Sequence, residues 1–160
     1  GGMQPYQKPG DLAIVSGAIR DEGTTKHYMP IEFPAVANLD VVLALRQAAE
    51  KLGNRYQVGI SQSKDSFYGQ HMPERMPIAN QLLERWKAWK MGGTICSEME
   101  SAVLFILSSI HRVRAGGIML VAANQESEEP NPGVVTDLTE LIKTSIEAVK
   151  ILIEQDRQAK

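Results

Sequence analysis

Four times along this chain, a short run rich in β-formers gives way to a longer run with helical periodicity. That alternation restricts the fold more than any other feature. Asp11–Arg20 (DLAIVSGAIR) mixes β-formers with period-two alternation and predicts a strand. Asp21–Pro34 is a polar loop, and Asn38 or Asp40 can cap the element after it. Val41, Val42, Leu45, Ala48, Ala49 and Leu52 then recur at helical spacing, and Gly53 stops the helix. Gln57–Gln62 predicts a second strand, Lys64–Pro77 a loop, and Ile78–Lys90 an amphipathic helix carrying Leu82, Leu83, Trp86 and Trp89. Gly92 and Gly93 break that helix, and Thr94–Ser97 predicts a short strand. Met99–His111 has an apolar face of Ala102, Val103, Phe105, Ile106 and Ile110, which predicts a buried helix. Arg114–Ala123 predicts a central strand, Asn124–Gly133 a polar loop, and Thr136–Gln155 a long final helix. A strand–helix order repeated in this way argues an α/β layered fold, with a central mixed, mainly parallel sheet flanked by helices. The whole of 1–160 reads as one partial domain.

Charge and cysteine usage exclude several function classes. Lys and Arg number 17 against 19 Asp and Glu, a net charge of −2. That balance lacks the clustered basic excess that nucleic acid or an anionic membrane requires. The most apolar short stretch, Ala102–Leu107, is far below the length that spans a bilayer. Cys96 is the only cysteine, so neither an internal disulfide nor a thiolate metal site is expected, and a reducing compartment is the default. His27, His71 and His111 stand apart with no metal-ligand spacing, and neither GxGxxG nor GxxxxGK[ST] occurs. Gly1–Pro5 reads as a turn inside a domain.

Open α/β sheets bind ligands at the C-terminal ends of their strands, so the strand-to-loop junctions hold the candidates. After strand 57–62 come Phe67, Tyr68, Gln70, His71 and Arg75. An aromatic face can stack on a nucleobase, the Gln amide pairs with a neighbouring C=O and N–H, and Arg stabilises negative charge on a departing ring. The same composition also suits a capped loop whose aromatics cover the core. After strand 94–97 come Glu98, Met99, Glu100 and Ser101. Carboxylates are natural acceptors for the paired hydroxyls of a ribose, but Ser97 followed by Glu100 is equally a capping-box pattern. At i and i+2 the two carboxylates point different ways, so at most one faces a ligand. After strand 114–123 come Asn124 and Gln125, then an acidic run, Glu126, Glu128 and Glu129, that reads as a solvated loop.

Taken together, the segments MPIEFPAVA (Met29–Ala37), DSFYGQ (Asp65–Gln70) and EMES (Glu98–Ser101) resemble uridine phosphorylases of the hexameric nucleoside phosphorylase family. The resemblance covers essentially all of the chain and corresponds to the C-terminal two-thirds of that fold. It implies a pentosyltransferase of nucleoside salvage, cytoplasmic and homo-oligomeric, with inorganic phosphate as co-substrate and no cofactor. Phe67 would pack on the base, Gln70 would read the uracil edge, and Met99 and Glu100 would contact the ribose, with Glu98 the weaker candidate. Many such enzymes carry an Arg two residues after the Gln. Here Met72 stands there, which leaves Arg75 or His71 for that role. Asn124-Gln125 replaces the Ser-Asp pair of purine-specific relatives, and an amide cannot act as a general acid. That departure disfavours the alternatives, purine phosphorolysis or hydrolysis by a nucleosidase. A third reading is a non-catalytic nucleoside-binding or assembly module. The family's Gly-rich phosphate loop has no counterpart in these residues. Arg46, Arg85 and Arg157 fall on predicted helices, so only Arg75 is expected near the base, and exposed strand edges and apolar surface are expected as well.

Overall fold

β1 (Leu12–Asp21) is the spine of the sheet. Leu12, Ala13, Ile14 and Val15 are all buried, so both faces of the strand are covered in this half. The computed structural model, which describes residues 1–124, 126–127 and 133–159, pairs β1 in parallel with β3 (Tyr56–Lys64) along its whole length. β4 (Cys96–Glu98) continues the parallel part beside β3. On its other side β1 pairs antiparallel with β5 (Gly117–Leu120) and with the two-residue β2 (Ala35–Val36). The sheet is therefore mixed and flanked by helices, in the α/β class that the alternation implied. Gln125, Glu128 and Glu129 lie outside the described residues.

The segment 115–123 is not the central strand that its apolar run implied. Only Gly117–Leu120 is strand, half-buried throughout and antiparallel to β1. Past Leu120 the backbone bonds to the start of the chain: Val121 N to Asp11 O at 2.8 Å, Gly10 N to Val121 O at 2.9 Å and Gly2 N to Ala123 O at 2.9 Å. Nor is the start itself a turn from Gly1. Gly2 bridges Cys96 and Asn124, Met3 is fully buried, and the turn begins only at Gln4, closed by Gln7 N to Gln4 O at 3.1 Å.

α1 (Leu39–Lys51) begins where Asn38 accepts from Val41 N through its side chain, and Gly53 at φ +70° follows its end. It packs against β1 and against α5 (Thr139–Gln158). Gly116 permits the close approach of α1, because a Cβ there would lie 2.4 Å from Val41 Cγ1. α4 (Ser101–His111) packs on β1 and β2 and sinks Phe105 and Ile106 completely. Burial of that order stabilises by about 1.5–3 kcal/mol per side chain. Its Leu104 and Ile110 remain exposed, so α4 is covered on one side only.

The expected 64–77 loop is more ordered than its polarity implied. α2 (Phe67–His71) starts with Ser66 Oγ accepting from Gly69 N at 3.1 Å, and a 3-10 turn follows at Pro73–Arg75. α3 (Ala79–Met91) buries no residue completely, because one side of it walls a cleft rather than a core. Ile142, Ile146, Val149 and Ile153 form a half-exposed stripe on α5, and Val58 and Ile60 of β3 are exposed as well. No helix among the described residues is long and apolar enough to cross a membrane.

Candidate active site at the ends of β3 and β4

The C-terminal half of β3 breaks the usual rule for an interior strand: Ser61, Gln62, Ser63 and Lys64 are all buried. Buried polar groups are costly unless paired, so their partners define the local architecture. Ser61 Oγ and Ser63 Oγ donate to Glu98 Oε1 at 2.9 and 2.5 Å. Glu98 Oε2 accepts the N–H groups of Glu100 at 2.6 Å and Ser101 at 2.8 Å. Glu98 is thus saturated and caps α4, where a carboxylate also suits the positive end of the helix dipole. This corrects the capping-box expectation. Ser97 turns away from the helix, and Glu100, at the N-cap position, makes no side-chain cap bond.

Ser97 Oγ instead forms the node of the site. Lys64 Nζ lies 2.7 Å from it, Gln62 Oε1 2.5 Å and Gln70 Oε1 2.6 Å. Gln62 Nε2 donates in turn to Asp21 Oδ2 at 2.7 Å, and Asp21 Oδ1 is ion-paired with Arg85. Burial pushes the Lys64 pKa down, against the pull of nearby Glu98, Glu100 and Asp21. Burial also pushes the Cys96 thiol up to about 12, which leaves it un-ionised and a poor nucleophile. No buried side-chain nitrogen or oxygen among the described residues lacks a hydrogen-bond partner.

Beside this node opens a cleft of about 550 Å³. Lys64, Gln70 and His71 form one wall, and Leu82, Trp86 and Trp89 of α3 form the other. The Arg85 guanidinium lies 4.9 Å from the centre of the Trp89 ring. Glu126 closes one end, accepting from Trp86 Nε1 at 2.9 Å and pairing with Lys90. Burial raises the Glu126 pKa, but these two partners outweigh it and hold the carboxyl below its ordinary range. No group of acidic, histidine or cysteine side chains among the described residues is arranged to hold a metal ion.

The residues singled out from sequence are distributed unevenly around this cleft. Gln70 and His71 line it. Phe67 does not; it is 52% exposed, with its ring 4.0 Å from that of His71 and tilted 30°. Arg75 lies in a separate shallow depression with Tyr68, Met72 and Met76, its Nη1 3.4 Å from Met72 Sδ. Met99 and Glu100 are exposed at the neighbouring strand end, and Glu100 acts on Lys64 through its charge. Asn124 is buried and fully engaged: Nδ2 donates to Gln4 O and Gln7 O, each at 2.8 Å, and Oδ1 accepts from Glu126 N at 3.0 Å. It anchors the chain start and is not among the residues that line this cleft.

Sequence reasoning placed Arg85 away from the cleft and did not count Lys64, yet both line it. The available signals were the polar run Ser61–Lys64 extending an apolar strand and the two tryptophans three residues apart on α3.

A mixed α/β sheet with a polar cleft at the C-terminal ends of parallel strands defines a small-molecule-binding α/β protein. Residues 1–155 match the family model of the phosphorylase superfamily, and the chain belongs to that superfamily. It is 48% identical to a uridine phosphorylase of Treponema pallidum over 98% of this chain and 61% of that protein. It is 40% identical to one of Thermococcus kodakarensis (99% and 57%) and 31% identical to one of Klebsiella aerogenes (99% and 62%). The chain thus spans about three-fifths of the length of these relatives.

Proposed function

We propose that this chain forms the base-and-ribose part of a uridine phosphorylase, which splits uridine with inorganic phosphate into uracil and ribose 1-phosphate in nucleoside salvage. The observation that carries the reading is the Gln70 amide, held by a buried polar node at the wall of a cleft large enough for a nucleoside. The names of the relatives support the choice of substrate. Phosphate oxygen attacks the anomeric carbon, the C1′–N1 bond breaks, and the bonding pair leaves with the base. Gln70 reads the uracil edge, and hydrogen bonds to the pyrimidine stabilise the charge that builds there. Phe67 packs against the base once a ligand draws in the α2 turn, while Met99 and Glu100 meet the ribose. Of the two candidates for the charge on the departing base, His71 lines the cleft and Arg75 stands in the adjacent depression. No cofactor is needed, and the reaction takes place in the cytoplasm. The exposed stripe on α5 and the bare Val58 and Ile60 support burial of those faces in a homo-oligomer.

The test is uracil release from uridine by the protein as the cell makes it, with and without phosphate. Release that requires phosphate, and a loss of preference for uridine over inosine in Gln70→Ala, are expected. Phosphate-independent release, or an unchanged preference, contradicts the reading.

A further inference from the structure

Ser97 carries one hydroxyl proton and two lone pairs, yet three groups crowd its oxygen: an ammonium at 2.7 Å and two amide oxygens at 2.5 and 2.6 Å. The Lys64 ammonium has no lone pair, so it takes one lone pair of Ser97. The single proton can serve only one of the two amides. Gln62 has first claim, because its other end is fixed: Nε2 donates to Asp21 Oδ2 at 2.7 Å, and turning the amide over would set its oxygen against that carboxylate. The other Asp21 oxygen is paired with Arg85, which fixes the carboxylate in place beside the Gln62 amide. Ser97 therefore donates to Gln62 and has only a lone pair left for Gln70. Oxygen facing oxygen at 2.6 Å with no proton between is repulsive, whereas an N–H there completes the valence of Ser97.

From this proton count we infer that Ser97 and Gln62 are positioning residues that lock Gln70 with its Nε2 toward Ser97 and its Oε1 toward the cleft. The relay Arg85–Asp21–Gln62–Ser97 thereby sets the sense in which the amide edge is presented. With its sense fixed, the edge accepts at one place and donates at the next. It then pairs with a ring N–H beside a carbonyl, as in a uracil-type base. It opposes an unprotonated ring nitrogen at the same place, as in a cytosine-type base. Base selection is therefore set through Ser97, which lies behind the cleft lining, and through Gln62, whose amide is already engaged at both ends by Ser97 and Asp21. This consequence rests on the function proposed above.

The test compares kcat/KM for uridine and cytidine, with phosphate, in the protein as the cell makes it. Ser97→Ala frees Gln70 to turn, and the uridine-to-cytidine ratio should narrow on the order of tenfold to a hundredfold, the cost of a mispaired buried polar group. Ser97→Thr keeps the hydroxyl and should restore the ratio. Gln62→Leu releases the Ser97 proton to Gln70 Oε1, favours the opposite sense and should narrow the ratio at least as far. A measurement on the unaltered protein stands apart from any folding defect in these variants: nuclear Overhauser contacts from the Gln70 side-chain amide protons to the Ser97 β protons. Their presence supports the lock. Their absence, or an unchanged ratio in a folded Ser97→Ala protein that still cleaves uridine, overturns it. Failure of the unaltered protein to cleave uridine at all overturns both the lock's role in base selection and the function on which it rests.

Discussion

Glu98 and Glu100 are two residues apart and do opposite things. Glu98 spends both oxygens on Ser61, Ser63 and the first N–H groups of α4, while the exposed Glu100 carboxylate accepts from Met99 N at 3.1 Å. Glu98→Ala should therefore cost stability, about 1–3 kcal/mol from the orphaned hydroxyls and amides. Glu100→Ala should leave the urea midpoint nearly unchanged and harm ribose binding instead. Denaturation curves and uridine kinetics on the two variants check this, and equal effects in both would contradict it. His71 supplies a pH signature. Burial, followed by the nearby Lys64 charge, pushes its pKa below the ordinary value. As pH falls, the unfolded chain takes the proton first, so the unfolded state binds more protons and stability declines as pH drops below about 6.5. Above that value the ring is neutral in both states and contributes no slope. The wild-type minus His71→Gln difference in unfolding free energy should therefore change between pH 7.5 and 5 with this sign; no change would remove the assignment.

α1 was legible almost to the residue because each of its signals is local: Asn38 caps it, the apolar positions repeat, and Gly53 lies just past its end. β5 was misread because an apolar run such as RAGGIMLVAA specifies burial, not which strand will lie beside it. Its partners, Leu12–Val15, are about a hundred residues away in sequence and are set by tertiary packing. The cap of α4 failed for a related reason. Ser97 and Glu100 satisfy the local pattern, but Ser97 is claimed by Lys64 and Gln62 once β3 and β4 pair. Gly116 shows the same dependence, since nothing in its neighbourhood announces that Val41 will rest on it. Gly116→Ala should destabilise by about 1–3 kcal/mol through overpacking, read as a lower urea midpoint at unchanged slope. Tolerance of the added methyl would mean that α1 can lift without cost.

Across the molecule, the parallel strands β1, β3 and β4 bring Asp21, Gln62, Lys64 and Ser97 together at one end of the sheet, and α2 and α3 raise the cleft around them. Gln70 and His71 could be placed beside the end of β3 from sequence because they belong to a short contiguous segment that follows it. Lys64, Asp21 and Arg85 could not be brought together in this way, because their convergence requires the sheet to form first. On the proposed function, the base of a pyrimidine nucleoside sits in the cleft between Gln70 and α3. A crystal structure of the protein as the cell makes it, with uridine bound, tests this most directly. The prediction is a uracil ring within hydrogen-bond distance of the Gln70 amide, with its ribose toward Glu100. A nucleoside bound elsewhere, such as the depression beside Ile31 and Phe33, with the Gln70 cleft empty, would contradict it.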